Sequence, residues 1–107
     1  MRRYEIYFAR LDPVKGAEMG KTRPAVIISD DRRNNVLRTV VVCPLTRSLH
    51  PTWRSRMQVR CAGQAAEIAV DQIRVLSKSR FTTKIGSLEQ TDASALRQLM
   101  TEMYGEE

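Results

Sequence analysis

The sequence predicts a mainly β (α+β) fold, in which a small barrel of strands is followed by one C-terminal helix. Short alternating or continuous apolar segments, separated by polar and turn-forming residues, predict five or six strands. One apolar stripe with helical spacing lies near the C-terminal end. The length of 107 residues suits a single domain, 1–107, with one modest core.

Three strands are predicted in the first part of the chain. Residues 4–10 alternate, with Tyr4, Ile6 and Phe8 on one face and Glu5, Tyr7 and Ala9 on the other, which is typical of a strand. Residues 25–28 are apolar, and Pro24 can open this strand because a missing N–H is tolerated at a strand start. Residues 39–43 are also apolar and are expected to be buried on both faces, with Pro44 ending the strand.

The connections between these strands are polar. Residues 29–35 predict a turn that could include one helical turn capped by Ser29 or Asp30. Residues 47–55 form a long polar loop that contains His50, and loops of this length are more often functional or mobile than structural.

The following segments predict further strands. Residues 56–61 alternate and indicate a half-exposed strand with an arginine-rich face. Residues 62–64 turn the chain, and residues 67–76 predict one or two further strands. Residues 77–86 are read as a short polar connection.

The last predicted element is an amphipathic helix. Thr91 or Asp92 could be its N-cap, and Gly105 could end it. Its apolar stripe faces the sheet and consists of Leu96, Leu99, Met100 and Met103.

The charge is unevenly distributed along the chain. The formal net charge is +6, and residues 1–84 hold 17 of the 18 Lys and Arg residues but only 7 of the 12 Asp and Glu residues. Arginine accounts for 14 of the 18 cations, which favours bidentate contact with phosphate. This distribution fits polyanion binding and fits a solvated basic surface about equally well.

Composition excludes several other classes. No apolar run approaches the roughly 20 residues that span a bilayer, and the first five residues are too polar for a secretory signal. Cys43 and Cys61 are expected to be reduced and mostly buried, as in a cytoplasmic protein. No metal-ligand spacing is present, so no metal or cofactor is expected.

The letters G-K-T at residues 20–22 do not indicate a nucleotide-binding P-loop. The required first glycine would stand at position 15, which is Lys15. A P-loop also runs from a strand into a helix, whereas Arg23, Pro24 and a β-type run follow here. What remains is a basic, glycine-containing loop that ends in an arginine at the start of a strand.

Three polar groups at strand ends could form a phosphate site. Arg23 closes the first loop, Thr46 follows the third strand and Asp71 lies among the last strands. An arginine, a hydroxyl and a carboxylate could together hold a phosphodiester and move a proton. Spacing alone leaves the ordinary alternatives open: a surface cation, a turn residue and an ion-pair partner.

The single histidine and the cysteines are weaker candidates for chemistry. A nucleophilic pair of Cys43 or Cys61 with His50 is conceivable, but both cysteines stand in predicted strands. His50 is expected to be a surface loop residue, with a general-base role as the minor alternative.

Three motifs, in this order along the chain, carry a resemblance to a known family. They are L-D-P…G-K-T-R-P-A before a strand, P-L-T after another strand and D-Q-I-R near the end. Together they resemble the MazF/PemK family of toxin–antitoxin endoribonucleases, over essentially the whole chain.

The resemblance implies a fold, an assembly and an activity. The fold would be an SH3-like barrel of five to seven strands with a C-terminal helix, acting as a homodimer. The activity would be metal-independent, sequence-specific cleavage of single-stranded mRNA by attack of the ribose 2′-hydroxyl. The products would be a 2′,3′-cyclic phosphate and a 5′-hydroxyl.

The resemblance also implies roles for individual residues. Arg23 would stabilise the charge on the phosphorane and could protonate the leaving 5′-oxygen, while Thr46 would hydrogen-bond a non-bridging oxygen. Asp71 is the candidate base, with Glu18 in reserve. The expected RNA-contacting residues are Lys15, Glu18, Lys21, Arg47, Arg54, Arg56, Gln72 and Arg74.

The chain departs from some relatives at two places. A first-loop histidine and an arginine two residues before the late aspartate belong to the acid–base set of those relatives. Ala17 and Ala69 occupy these places here. The departures concern the acid–base assignment, whereas Arg23 and Thr46 match the family pattern.

A partner and two rival functions follow from the resemblance and the charge. A cognate antitoxin with a disordered acidic tail would fold onto the cationic site. One rival function is non-enzymatic inhibition of DNA gyrase by the same fold, and the other is an RNA-binding module with impaired catalysis.

Overall fold

The computed structural model of the chain describes residues 1–11 and 22–106, and the sheet in these residues contains seven strands. The strands are β1 (Glu5–Arg10), β2 (Thr22–Ile27), β3 (Thr39–Thr46), β4 (Arg56–Cys61), β5 (Gln64–Ala69), β6 (Arg74–Ser77) and β7 (Phe81–Ser87). The α-helices are α1 (Asp31–Val36) and α2 (Gln90–Tyr104), and the 3₁₀ helices are Val70–Gln72 and Lys78–Arg80. The predicted fold class, mainly β with a C-terminal helix, is confirmed.

The sheet is antiparallel and curls around β3. The strand order is β4-β5-β3-β2-β1-β7, and β6 also pairs with β3. One edge of β3 pairs with β2, while its other edge pairs first with β6 and then with β5. The long strand β3 therefore pairs with three other strands, β2, β5 and β6.

Strand β3 is largely buried on both faces, as predicted for residues 39–43, except that Thr39 is exposed and Val41 is half-buried. Along β3, Val40 and Val42 belong to one apolar cluster, whereas Cys43 and Leu45 belong to the other. Helix α2 covers the second cluster through Leu96, which is fully buried. The other members of its predicted stripe, Leu99, Met100 and Met103, are partly buried against the same cluster.

The prediction that Pro44 ends the third strand is wrong, because β3 continues to Thr46. Pro44 pairs with Ala25 of β2. On the other edge of β3, the pairs with β6 end at Val42 and the pairs with β5 begin at Leu45. A residue without an N–H can be accommodated in this gap between two ladders.

The start of the first strand also differs from the prediction. Tyr4 has a φ of 70°, and β1 begins only at Glu5. The backbone N–H of Tyr4 donates to the Ile27 carbonyl at 2.6 Å, and its carbonyl accepts from the Leu88 N–H at 2.9 Å. Bonds to two distant segments therefore hold this residue in a turn conformation.

Several predicted segments are refined by the structure. Residues 29–35 contain most of α1, which ends at Val36; its N-cap is Asp30, whose side chain accepts from the Arg33 N–H at 3.0 Å. Residues 67–76 contain parts of two strands separated by a 3₁₀ helix. Helix α2 begins at Gln90 after the N-cap Glu89, slightly before the predicted start, and Gly105 ends it as expected.

Strand β7 is absent from the sequence-based prediction. The prediction of a polar connection over residues 77–86 is wrong, because Phe81–Ser87 pairs with β1. Most of its side chains are polar or small and exposed, so the apolar pattern that marks a strand is weak.

The β4–β5 connection is a two-residue hairpin turn. Ala62 and Gly63 have φ values of 52° and 77°, and Cys61 pairs with Gln64 across the turn. Positive φ at both central positions is typical of a type I′ turn, which matches the twist of the strands. Glycine adopts this conformation freely, whereas alanine is strained there.

Replacing Ala62 by asparagine should therefore stabilise the protein, since asparagine tolerates a left-handed conformation. We expect an increase of about 1 kcal/mol in the free energy of unfolding, measured by chemical denaturation. Ala65→Asn is the matched control, because Ala65 is exposed within β5 and has no positive φ. Equal effects of the two substitutions would contradict the explanation.

Candidate active site

Strands β2 and β3 bring Arg23 and Thr46 together. Ala25 pairs with Pro44, and continuing this register by two residues places Arg23 opposite Thr46. Both residues, with Leu45, line two cavities of about 620 and 580 Å³. Arg23 and Thr46 therefore stand at the boundary between these cavities.

The first cavity has a largely apolar lining. Its walls come from β1, β7 and the β4–β5 hairpin, and Arg47 adds a positive charge. The apolar side chains that line it include Phe8, Pro24, Cys61, Ala66 and Ile85. Such a wall suits the flat face of an aromatic or heterocyclic ring.

The second cavity is polar and cationic. His50, Arg56, Gln72 and Arg74 line it together with Arg23. Within residues 1–11 and 22–106, Arg23 and Arg74 form no ion pair, so their charges are available to an anion. This arrangement favours a phosphate group.

A buried carboxylate supports the wall of the second cavity. The side chain of Glu67 is fully buried on β5, opposite Gln58 on one side and Thr46 on the other. Its Oε1 accepts from the His50 backbone N–H at 2.5 Å and from Gln58 Nε2 at 2.6 Å. Its Oε2 accepts from Arg56 Nη1 at 2.8 Å and lies 3.2 Å from His50 Nδ1.

These contacts keep Glu67 ionised. Burial by itself would raise the pKa of Glu67, but the hydrogen bonds from His50, Gln58 and Arg56 outweigh it. The result is a pKa of about 2, below the ordinary value of 4.5. A buried charge is tolerated here because nearby donors satisfy both of its oxygens.

Arg56 joins Glu67 to Asp71. Its Nε donates to Asp71 Oδ1 at 2.8 Å, and its side chain is only 6% exposed. The expectation that the polar face of β4 is exposed is therefore wrong at Arg56. Arg56 also pairs with Ala69, so a guanidinium lies beside the alanine that departs from some relatives.

Asp71 stands apart from the pair formed by Arg23 and Thr46. It lies in the 3₁₀ helix Val70–Gln72, is exposed and lines neither cavity. Its carboxylate is held by Arg56. The predicted role of Asp71 as the base is thus not supported by a direct position in either cavity, and it stays a prediction.

The predicted RNA-contacting residues fall into three groups. Arg47 lines the first cavity, and Arg56, Gln72 and Arg74 line the second. Arg54 is exposed and lines neither cavity. Lys15, Glu18 and Lys21 lie outside the described residues, as does Ala17, one of the two departures from some relatives.

His50 is not the simple surface residue expected from the sequence. Its side chain is 32% exposed, faces the second cavity and contacts Glu67. Its ring stacks on Trp53 with 3.9 Å between the centroids and 24° between the planes. The Arg56 guanidinium lies 4.8 Å from the Trp53 centroid.

The importance of Glu67 was missed, although the sequence holds a signal for it. Counting outward from the turn at Ala62 and Gly63 places Glu67 opposite Gln58, as the pairing shows. Arg56 then falls on the same face, two residues before Gln58. The sequence therefore contains a pattern that indicates a polar cluster, in which Glu67 faces Gln58 and Arg56 across the hairpin.

Thr46 is also oriented by its neighbours. Its Oγ1 accepts from the backbone N–H of Ser48 at 3.1 Å. This bond occupies one acceptor position and leaves the hydroxyl proton available for donation. Thr46 can therefore donate a hydrogen bond to an anion that Arg23 contacts.

The cysteines do not form a nucleophilic site. Cys43 is buried, and desolvation followed by the charge of Asp71 raises its thiol pKa to about 12. Burial also raises the pKa of Cys61. Both are free thiols, and a raised pKa disfavours the nucleophilic thiolate. Cys43 is buried as expected, whereas Cys61 is only partly buried.

The described part of the chain has neither a metal-binding cluster nor a helix able to span a membrane. Residues 1–11 and 22–106 contain no group of three or more His, Cys, Asp or Glu side chains placed to hold a metal ion. In the same residues, neither α-helix is both long and apolar enough to cross a lipid bilayer.

Comparison with known proteins identifies similar sequences. Residues 2–104 match a family described as the PemK-like, MazF-like toxin of type II toxin–antitoxin systems. The chain is 36% identical over 93 residues to an endoribonuclease MazF of Staphylococcus saprophyticus, covering 79% of this chain and 75% of that one. It is 31% identical over 94 residues to the endoribonuclease EndoA of Bacillus subtilis, covering 83% and 81%.

Solved structures give the same fold. A crystal structure of MazE–MazF from Deinococcus radiodurans matches with a TM-score of 0.83 and 19% identity, over 100% of this chain and 98% of that one. The Mycobacterium tuberculosis toxin MazF-mt6 matches with a TM-score of 0.80 and 20% identity, over 96% and 98%. At these identities, the matches establish the fold.

The buried carboxylate should make stability depend on acidity. The pKa of Glu67 is lower in the folded chain than its ordinary value of 4.5. The ionised carboxylate therefore contributes fully to the free energy of unfolding above about pH 4.5, and this contribution is lost as the pH falls towards about 2. Glu67→Gln should lower the free energy of unfolding at pH 7 by about 3 kcal/mol and flatten its fall over this range.

Urea denaturation at several pH values measures both effects. Glu102→Gln is the matched control, because Glu102 is exposed on α2 and forms no ion pair within the described residues. It should leave both the stability and its pH dependence nearly unchanged. An equally steep acid dependence in Glu67→Gln would contradict the role of this carboxylate.

Proposed function

The chain belongs to the PemK-like, MazF-like family of type II toxin–antitoxin toxins, and we propose that it is an endoribonuclease that cleaves single-stranded mRNA. One observation carries the proposal most directly. Arg23 and Thr46 meet at the boundary of an apolar cavity and a cationic cavity. This arrangement suits a phosphodiester flanked by bases.

In the proposed reaction, the ribose 2′-oxygen attacks the adjacent phosphorus and the bond to the 5′-oxygen breaks. The products are a 2′,3′-cyclic phosphate and a 5′-hydroxyl, and no metal ion is required. The guanidinium of Arg23 donates to phosphate oxygens and stabilises the additional charge of the phosphorane. It also donates a proton to the leaving 5′-oxygen and regains one from water.

Thr46 complements Arg23 from the neighbouring strand. With its oxygen already accepting from Ser48, its hydroxyl donates to a non-bridging phosphate oxygen. Since both residues stand near paired strand ends rather than in the middle of flexible loops, their separation is fixed before substrate binds. Preorganised donors of this kind favour the transition state over the ground state.

The two cavities bind different parts of the RNA chain. The apolar wall of the first cavity, with Phe8 and Ile85, accepts a base by stacking and packing. The second cavity, with Arg74 and Gln72, contacts phosphates and polar base edges. Sequence preference then depends on the walls of these cavities and on contacts made by the loops.

We also propose that an acidic antitoxin segment covers the same site. Related solved structures include complexes of MazE with MazF, and the cavities of this chain hold Arg23, Arg47 and Arg74 without ion-pair partners among the described residues. A segment rich in Asp and Glu would satisfy these charges and exclude RNA. The predicted homodimer remains a proposal alongside this one.

The nuclease proposal makes a direct prediction for Arg23. Long unstructured RNA incubated with the protein in EDTA should yield fragments with 5′-hydroxyl ends. Arg23→Ala should reduce the rate at least about 100-fold, because it removes the group that stabilises the developing charge. The ends are measured by labelling with a kinase before and after phosphatase treatment.

Arg32→Ala is the matched control for loss of one positive charge. Arg32 is exposed on α1 and lines neither cavity, so its variant should cleave at nearly the wild-type rate. In the same assay, Thr46→Ser should retain more activity than Thr46→Val, since only serine keeps the hydroxyl. Cleavage that requires added metal, or that is unaffected in Arg23→Ala, would refute the proposed mechanism.

The antitoxin proposal is tested by competition. An acidic peptide, such as a 20-residue segment with alternating Glu and Leu, should inhibit cleavage, and the inhibition should weaken steeply with salt because it depends on charge. A peptide of the same length with Gln in place of Glu is the control. Equal inhibition by both peptides would show that charge does not direct the binding.

A further inference from the structure

We propose that His50 accepts the proton of the attacking 2′-hydroxyl and that Glu67 positions its imidazole for this role. The inference rests on the proposed nuclease function and deepens it by assigning the base. The family resemblance favours Asp71 as the base, but Asp71 lines neither cavity and is held by Arg56. His50 lines the same cavity as Arg23 and Thr46.

Three contacts fix the position of His50. Its backbone N–H donates to Glu67 Oε1 at 2.5 Å, and its Nδ1 lies 3.2 Å from Glu67 Oε2. Its ring is stacked on Trp53 at a centroid distance of 3.9 Å. An imidazole held on its backbone, one nitrogen and one face has little freedom to rotate.

The contact with Glu67 assigns the two ring nitrogens. Glu67 is ionised and can only accept hydrogen bonds, so the proton of the neutral imidazole lies on Nδ1. This leaves a lone pair on Nε2. In residues 1–11 and 22–106, no protein group hydrogen-bonds Nε2. The nitrogen able to accept a proton is therefore unoccupied on a side chain that lines the cavity.

The charges around the imidazole come from four strands and one 3₁₀ helix. Glu67 on β5 faces it directly, and Arg56 on β4 is bonded to the same carboxylate. Arg23 on β2 and Arg74 on β6 share its cavity, while Asp71 on the 3₁₀ helix is paired with Arg56. Glu67 is thus the negative charge adjacent to His50, and it stabilises the imidazolium formed during the reaction.

The proposed step is balanced in protons and bonds. The 2′-hydroxyl proton moves to His50 Nε2 as the 2′-oxygen forms a bond to phosphorus. The bond from phosphorus to the 5′-oxygen then breaks, and that oxygen receives a proton from Arg23, which regains one from water. The imidazolium returns its proton to solvent after the products form.

His50→Asn is the central test, because the asparagine amide can still donate to Glu67 where Nδ1 does but offers no basic nitrogen. We expect it to fold and to bind RNA while its single-turnover cleavage rate falls by about 100-fold or more. The dependence of the cleavage rate on pH should also become weaker than in the wild type. Leu49→Ala is the neighbouring control, since Leu49 is exposed and lines neither cavity.

A substrate with a sulfur atom in place of the bridging 5′-oxygen distinguishes loss of the base from loss of the acid. A thiolate leaves without protonation, so a defect in the acid is rescued on this substrate and a defect in the base persists. His50→Asn should remain impaired on it. Rescue to the wild-type rate would overturn the assignment of His50 as the base.

The positioning role of Glu67 has an independent readout in the wild-type protein. His50 is the single histidine of the chain, so ¹⁵N NMR of labelled imidazole is unambiguous. The neutral ring should be protonated mainly on Nδ1, and Glu67→Gln should shift it towards a mixture. A dominant Nε2-protonated form in the wild type would overturn the proposed geometry.

The outcomes also separate this inference from the function on which it rests. If RNA is cleaved with dependence on Arg23 but His50→Asn cleaves normally with an unchanged pH profile, the base assignment alone fails. If the wild-type protein gives no 5′-hydroxyl fragments, both proposals fail. If cleavage is lost in Arg23→Ala and strongly reduced in His50→Asn on both substrates, both are supported.

Discussion

The buried carboxylate of Glu67 is the interaction on which the site depends. It joins the polar loop to the sheet through His50, and it joins β4 to β5 through Arg56 and Gln58. Its strand also pairs with Thr46 of β3. An isolated carboxylate at this depth would be strongly unfavourable, so the surrounding donors and the charge require one another. The loop and hairpin consequently share one electrostatic centre.

The division of charge around that centre explains why one side of the site can accept an anion. Arg56 is neutralised by Glu67 and Asp71, whereas Arg23 and Arg74 have no ion-pair partner among the described residues. The protein therefore contains two classes of arginine in one small region. Arg56, in the first class, stabilises the fold through its ion pairs. Arg23 and Arg74, in the second class, produce a positive potential that attracts a polyanion.

Much of the fold follows from local patterns, and the errors occur where tertiary contacts override them. The alternating residues of β4 and the stripe of α2 were recognisable because one face of each is apolar. Pro44 was misread because its tolerance depends on a gap between two ladders that no local pattern reveals. Strand β7 was missed because a polar edge strand has little periodic signal.

The site was predictable to a similar degree. The motifs selected Arg23 and Thr46, and the sheet register brings them together. Asp71 was chosen by sequence analogy, but its partner Arg56 could be known only once β4 and the 3₁₀ helix were placed. The burial of Glu67 depends on the polar loop folding over a sheet face. That arrangement is non-local, so sequence periodicity classified the residue only as part of a strand.

The hairpin that turns at Ala62 and Gly63 keeps the wall of the apolar cavity apart from the buried network around Glu67. Ala62 and residues that flank the turn form one wall of the apolar cavity, while the pair Gln58 and Glu67 lies four residues to either side of the turn. Side chains at the tip can change the shape offered to a substrate without entering the buried network. Substitutions near the turn can thus change which RNA sequences are preferred, while the network around Glu67 stays intact.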